Sequence, residues 1–152
     1  MLERFEQFSS VMFEINRYIQ KLEHDVMVKF GYKGSYAQYL IVLNAHPDGL
    51  IASRICELCD KDKAAVSRVI GEMQEHGLVV RECAENRVYR GVVCLTERGK
   101  EIAGYVCQKA MDAVAAIGKD AMNDEERVVF YHILERISDK LHTFTKNGIP
   151  KQ

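Results

Sequence analysis

No apolar run of membrane-spanning length occurs in this chain, because its N-terminal hydrophobic residues are interleaved with Glu3, Arg4, Glu6 and Glu14. A signal peptide or bilayer anchor is therefore not expected, and a soluble cytoplasmic protein is. Missing too are a glycine-rich phosphate loop, a nucleophile elbow, and any Cys, His and acid arrangement that a coarse fold would bring together. The expectation is a non-enzyme without a cofactor. No internal repeat or low-complexity segment stands out. An excess of one charge is lacking as well: 21 Lys and Arg face 22 Asp and Glu, for a net charge of -1. Any polyanionic partner must then be met by local placement of cations rather than by a basic domain.

Five cysteines are many for an intracellular chain of 152 residues, yet metal-ligand spacing is absent. Cys56-x-x-Cys59 has no second Cys or His pair at zinc-finger spacing and follows no strand as a thioredoxin motif would. Both cysteines read as small core hydrophobes. Cys83 and Cys94 flank a hairpin, and a turn centred near Asn86 and Arg87 sets Arg90 or Gly91 opposite Cys83, out of register for an unstrained disulfide. Cys107 falls on a long helix beside Val106. A redox-sensing role, which needs an exposed thiol of low pKa, is the alternative reading. His24 lies between Glu23 and Asp25 without matching ligands elsewhere and reads as part of a solvated helix face. His132 and His142 fall at or beside a C-terminal helical seam, and His46, before Pro47, reads as a turn residue. No metal site is expected.

What is present is concentrated between Ile55 and Val80. Ile55, Leu58 and Cys59 occupy the i, i+3, i+4 positions of one helix face. Asp60 and Lys61 form a tight turn, and Asp tolerates the left-handed backbone such a turn needs. Asp62 follows as N-cap of a second helix with Val66, Val69, Ile70 and Met73 inside. Lys61, Lys63, Ala64, Ser67 and Arg68 are left on its exposed N-terminal end, where small residues permit close approach and the polar ones reach phosphates and base edges. Gly77 stops the helix. A hairpin then runs from Leu78 to Ala84 and from Tyr89 to Leu95 around the tip Glu85-Asn86-Arg87-Val88, and Thr96 caps a long helix that begins at Glu97. Two helices, a hairpin and a helix in that order are the pattern of a winged helix-turn-helix.

Long apolar seams occupy both ends. Leu2, Phe5, Phe8, Met12, Ile15, Ile19, Leu22 and Val26 recur at steps of three and four, as do Phe130, Leu134, Ile137, Leu141 and Phe144. A short winged helix cannot cover both. Between them lie a helix near Ser35 to Ala45, a Pro47-Asp48-Gly49 turn, and the helix from Glu97 towards Ile117. The tail from Lys146 to Gln152 reads as frayed.

With the helix-turn-helix at Ile55 to Gly77, the Gly77-Leu78-Val79 run into the hairpin and the Leu95-Thr96-Glu97-Arg98-Gly99-Lys100 exit, the chain resembles the MarR family of bacterial transcriptional regulators over nearly its whole length. The resemblance implies a mainly α fold with a small β-hairpin wing. It implies one domain over 1–152, with 1–46 and 100–146 mainly dimerisation helices and 47–99 the winged helix-turn-helix lobe. It further implies a homodimer that binds a double-stranded operator through recognition helix and wing, represses, and is released by a small aromatic or anionic effector. Lys61, Lys63, Ala64, Ser67, Arg68, Arg87 and Arg90 are the expected DNA-binding residues. Many members place a wing Arg seven residues before the threonine of the exit motif, where this chain has Tyr89, so Arg87 is assigned the minor-groove role two residues early. Tyr36 and Tyr39 fall near where relatives hold aromatic acids, and Arg17 is the matching candidate for a ligand carboxylate, with core packing and a surface ion pair as the plainer readings. Between Ser53 and Lys100 nine Lys or Arg meet eight Asp or Glu, which leaves open a winged-helix interaction module without DNA binding.

Overall fold

The computed structural model describes residues 2–81 and 91–149. These form α1 (Leu2–Lys29), α2 (Tyr36–Asn44), β1 (Leu50–Ile51), α3 (Ala52–Cys59), α4 (Lys63–Glu75), β2 (Val79–Arg81), β3 (Val92–Leu95), α5 (Glu97–Ala121) and α6 (Asp124–Asn147). They fall into two compact units, Met1–Met111 and Asp112–Gln152. None of the described helices is long and apolar enough to cross a membrane.

The first unit is organised around α2. Its sequence, YAQYLIVLN, is apolar on nearly every side, and Tyr36, Ala37, Tyr39, Leu40 and Leu43 are all buried. Around it gather Val26 and Met27 from the end of α1, Ile55 and Cys59 from α3, Val66, Val69, Ile70 and Met73 from α4, and Ile102, Ala103 and Val106 from α5. Phe30 meets Tyr105 edge to face at 5.2 Å, tying the end of α1 to α5.

The sheet is small and antiparallel, in the order β1-β3-β2. Leu50 pairs with Val93 and Ile51 with Val92, while Val79, Val80 and Arg81 pair with Leu95, Cys94 and Val93. Strand β1 is not legible in the sequence. It arises because Gly49, at φ 78°, turns the chain after Pro47 and delivers Leu50 to the free edge of β3. Ile51 then has extended backbone (φ -74°, ψ 152°) at the N-cap of α3, which starts at Ala52 without a side-chain cap. The hairpin tip, with Cys83, Glu85, Arg87 and Arg90, lies outside the described residues. The expected register of Cys83 against Cys94 therefore goes undescribed, although Cys94 itself is disulfide-bonded.

Leaving the sheet, Thr96 fastens α5 to the end of α4. Its hydroxyl donates to the Gly77 carbonyl at 2.7 Å and accepts from the Gly99 N–H at 3.0 Å, while its own N–H donates to the Leu78 carbonyl at 3.0 Å. This explains the glycine of the exit motif: a Cβ on Gly99 would collide with the Leu78 carbonyl oxygen. Backbone cannot yield as a flexible side chain can. Gly99→Ala should therefore cost about 3 kcal/mol, the upper part of the usual overpacking range, as read from the midpoint of denaturant unfolding.

In the second unit, α6 is opened by a reciprocal capping box. Asn123 accepts from the Glu126 N–H and Glu126 accepts from the Asn123 N–H, both at 2.9 Å. Arg127 donates to the Gly118 carbonyl at 3.2 Å. No described residue of α6 is buried, and Val129, Phe130, Ile133 and Leu141 stand open to solvent.

Candidate nucleic-acid interface

The α3–α4 turn has the conformation its sequence calls for. Asp60 is the only non-glycine among the described residues with positive φ (50°), and the Lys61 N–H donates back to the Cys56 carbonyl at 3.0 Å, closing α3. Asp62 then accepts from the Ala65 N–H at 2.8 Å and starts α4. From α2, the Gln38 amide donates to the Cys59 carbonyl at 3.3 Å, occupying one of the acceptors that the end of α3 leaves open. The turn is thereby fixed from both sides.

Helix α4 is amphipathic as expected. Val66, Ile70 and Met73 are at most 1% exposed, whereas Lys63, Ala64, Ser67 and Arg68 face outward beside Lys61 of the turn. Lys61, Lys63 and Arg68 form no ion pair among the described residues, unlike Arg54, which is held by Glu57 at 2.6 Å. A near-neutral lobe thus presents three cations without an ion pair among the described residues on one helix end, Arg68 acting at longer range on Glu72. Together with Ser67 they make a surface suited to phosphate oxygens and base edges, small enough at Ala64 to approach them. Arg87 and Arg90 lie outside the described residues.

The far part of α4 is held by a clasp that sequence reading does not find. Glu72 accepts from Lys33 at 2.8 Å and from the Tyr36 hydroxyl at 3.0 Å. Tyr36 is fully buried, and burial, followed by its hydrogen bond to Glu72, pushes its pKa up to about 12. Glu72 is held below the ordinary carboxylate pKa by the hydrogen bond from Lys33 and then by that from Tyr36. A carboxylate with a lowered folded-state pKa adds stability above its unfolded pKa and loses it as pH falls through the folded value. The melting temperature of Glu72→Gln should therefore lie below that of the parent at neutral pH. The gap should close in acid, beneath the usual carboxylate range, when thermal melts are run across pH.

The remaining expected residues are dispersed. Tyr36 belongs to the clasp; Tyr39, 3% exposed, borders a cavity beside α4; Arg17 is exposed on α1 and lies 5.0 Å over the ring of its neighbour Tyr18. The helix-turn-helix cysteines differ from one another. Cys59 is buried and its thiol pKa is raised, chiefly by that burial, whereas Cys56 is half-buried, and both are free thiols. A raised pKa disfavours the thiolate that an oxidant sensor requires. Among the described residues no three His, Cys, Asp or Glu side chains gather as a metal site.

Two crossing helices joined by a tight turn, with a three-stranded sheet and α5 beyond them, define a winged helix-turn-helix protein. Residues 30–87 match the family model described as the MarR family. The chain has the fold of MarR family structures over most of its length. A MarR family protein from Bacillus stearothermophilus aligns with a TM-score of 0.76 at 16% identity, covering 93% of this chain and 98% of that one. A MarR family transcriptional regulator from Listeria monocytogenes, solved in complex with a 26mer DNA, aligns with a TM-score of 0.74 at 14% identity over 94% and 96%. MepR, a transcription regulator of the Staphylococcus aureus multidrug efflux pump MepA, aligns with a TM-score of 0.65 at 18% identity over 88% and 98%. No curated protein matches the sequence significantly.

Proposed function

We propose that this protein is a cytoplasmic homodimeric repressor that binds a pseudo-palindromic operator through α4 and the hairpin tip and is released by a small effector. The observation that carries the reading is Lys61, Lys63 and Arg68, none in an ion pair among the described residues, with Ser67 on the exposed end of the capped α4. A fold shared with a regulator solved on DNA adds support for a DNA partner. These cations also answer the near-neutral charge that favours a protein-interaction module, since phosphate contact depends on where charge is placed and not on its sum.

Dimerisation supplies the missing cover for the helical seams. On α1, Phe8, Met12, Ile15, Ile19 and Leu22 are 38–53% exposed, and on α6, Phe130 and Leu141 are 43% and 52% exposed. Exposed seams of that length are costly in water, at roughly 25 cal/mol per Å². A second copy offers the same faces in return, as two-fold symmetry requires. Arg87 is assigned the minor-groove role and Arg90 a further DNA contact, both outside the described residues.

DNase footprinting over the protein's own promoter region tests the reading. Protection of two symmetric half-sites about one helical turn apart, roughly 10 bp, is the expected pattern for a dimer with two recognition helices. A lack of protection at concentrations that retain the folded dimer would leave the interaction-module reading in its place.

A further inference from the structure

The connection between α1 and α2, residues 30–36, is built as a joint rather than as a free loop. Gly31, at φ 76°, closes α1: its N–H donates to the Val28 carbonyl at 2.9 Å, and the Tyr32 N–H donates to the Met27 carbonyl at 3.1 Å. At the other end the Tyr36 N–H donates to the Lys33 carbonyl at 3.0 Å and leads into α2. The side chains of this segment then reach two further helices. Phe30 meets Tyr105 of α5 edge to face, and the Arg98 guanidinium of α5 lies 5.8 Å from the centre of the Phe30 ring. Towards α4, the Tyr32 ring stands edge-on to His76 at 5.5 Å, and Lys33 and Tyr36 both donate to Oε2 of Glu72. Both α4 and α5 therefore bear on the joint.

The contacts that hold α4 differ in kind. Burial of Val66, Val69, Ile70 and Met73 is cohesive but non-directional, whereas a hydrogen bond weakens steeply away from its proper angle. Two such bonds end on Glu72. One comes from Tyr36, which is fully buried and cannot follow Glu72 if α4 turns, so rotation of the helix leaves a buried hydroxyl unpaired. Glu72 lies four residues after Arg68, the spacing at which two side chains stand one above the other on a helix. What fixes the rotation at Glu72 fixes it at Arg68.

We propose that this clasp is a positioning device for DNA recognition, in which Lys33 and Tyr36 act through Glu72 to set the direction of Arg68 and its neighbours on α4. The inference rests on the reading of α4 as the DNA-contacting helix. Neither Lys33 nor Tyr36 touches DNA in this account; both are positioning residues. A misdirected cation still meets phosphates, which line the whole duplex, but no longer meets a particular base edge. Loss of the clasp therefore lowers discrimination between sequences rather than affinity for DNA in general.

The test compares the parent with Tyr36→Phe, Lys33→Met and Lys33→Arg by two measurements. The first is fluorescence anisotropy on a fragment of the protein's own promoter region and on a scrambled fragment, at several salt concentrations; the second is hydrogen exchange without DNA. Tyr36→Phe keeps the buried ring and the formal charge. Its preference for the promoter fragment should fall about threefold to tenfold, the change in correctly posed helix that one hydrogen bond to a carboxylate governs, with scrambled-fragment affinity and salt slope as in the parent. Lys33→Met should lose preference similarly and Lys33→Arg should keep it. The Lys33 side chain is 63% exposed, so these two variants probe the clasp without disturbing the core. Without DNA, amide exchange across 67–75 should quicken in Tyr36→Phe and Lys33→Met while that of α5 stays unchanged. Equal weakening on both fragments would mark the clasp as stabilising only and overturn the proposal. So would parent-like preference in Tyr36→Phe and Lys33→Met, or α4 exchange at the parent's rate in both. A parent without preference for the promoter fragment would remove the DNA reading and the recognition role of the clasp with it, while exchange still decides whether the clasp holds α4.

Discussion

Replacing Met12 and Ile15 together by Glu should convert the protein from a dimer to a folded monomer. Both side chains are exposed on α1, 38% and 46% respectively, so the substitution removes nothing from the core formed by α2 and its neighbours. In the proposed dimer each becomes a charge in an apolar seam, and each change occurs twice. Losing the burial of one such side chain costs about 1.5–3 kcal/mol before the desolvation of the new carboxylates is counted. Four lesions of that kind should weaken association by at least about 10⁴-fold, at roughly 1.4 kcal/mol per factor of ten. Light scattering is expected to report the 17.4 kDa chain mass for the variant and twice that value for the parent. A parent that scatters as a monomer, or a variant that stays dimeric at the same concentration, would show that α1 is not the dimer seam.

Arg68→Ala is expected to have the largest effect on DNA binding of any single change on α4. Its side chain is exposed, makes no ion pair among the described residues, and stands beside Ser67 where the helix carries no bulky group. If it reads a base edge, its removal costs about 1–3 kcal/mol per half-site and relaxes preference at one position. If it holds a phosphate, all sequences weaken alike and the salt dependence falls by about one unit per contact. The dimer carries the lesion twice, so a loss of about 100-fold in operator affinity is the expected scale. Titrations of operator and scrambled DNA at several salt concentrations separate the two cases. Binding identical to the parent would mean that the DNA surface lies elsewhere.

What the sequence makes legible are features set by neighbours along the chain. Asp62 as a cap, Asp60 in a left-handed turn and Gly77 at φ 68° each follow from a local backbone requirement, and the inner stripe of α4 follows from helical periodicity. Thr96 is legible as a cap for the same reason, but its second bond to Gly77 is not, because it joins residues brought together only by the hairpin. Strand β1 escapes detection similarly: two residues carry no period, and their partner β3 lies some forty positions away. The Lys33–Tyr36–Glu72 clasp and the cavity beside Arg68 depend on how α1, α2 and α4 pack, which composition does not encode. Leu58 shows the limit of a stripe argument, since it shares a face with the buried Ile55 and Cys59 and is itself only half-buried. The role of Tyr36 was likewise invisible, as a buried hydroxyl reveals its partner only once α4 is in place.

Fluorescence anisotropy of a labelled fragment from the protein's own promoter region, titrated beside a scrambled fragment of equal length from low to high salt, is the most direct measurement of DNA recognition. A dimeric regulator should bind the promoter fragment at least about 10³-fold more tightly than the scrambled one near physiological salt, with affinity falling steeply as salt rises. Equal affinity for both fragments, or no saturable binding to either, would contradict sequence-specific recognition.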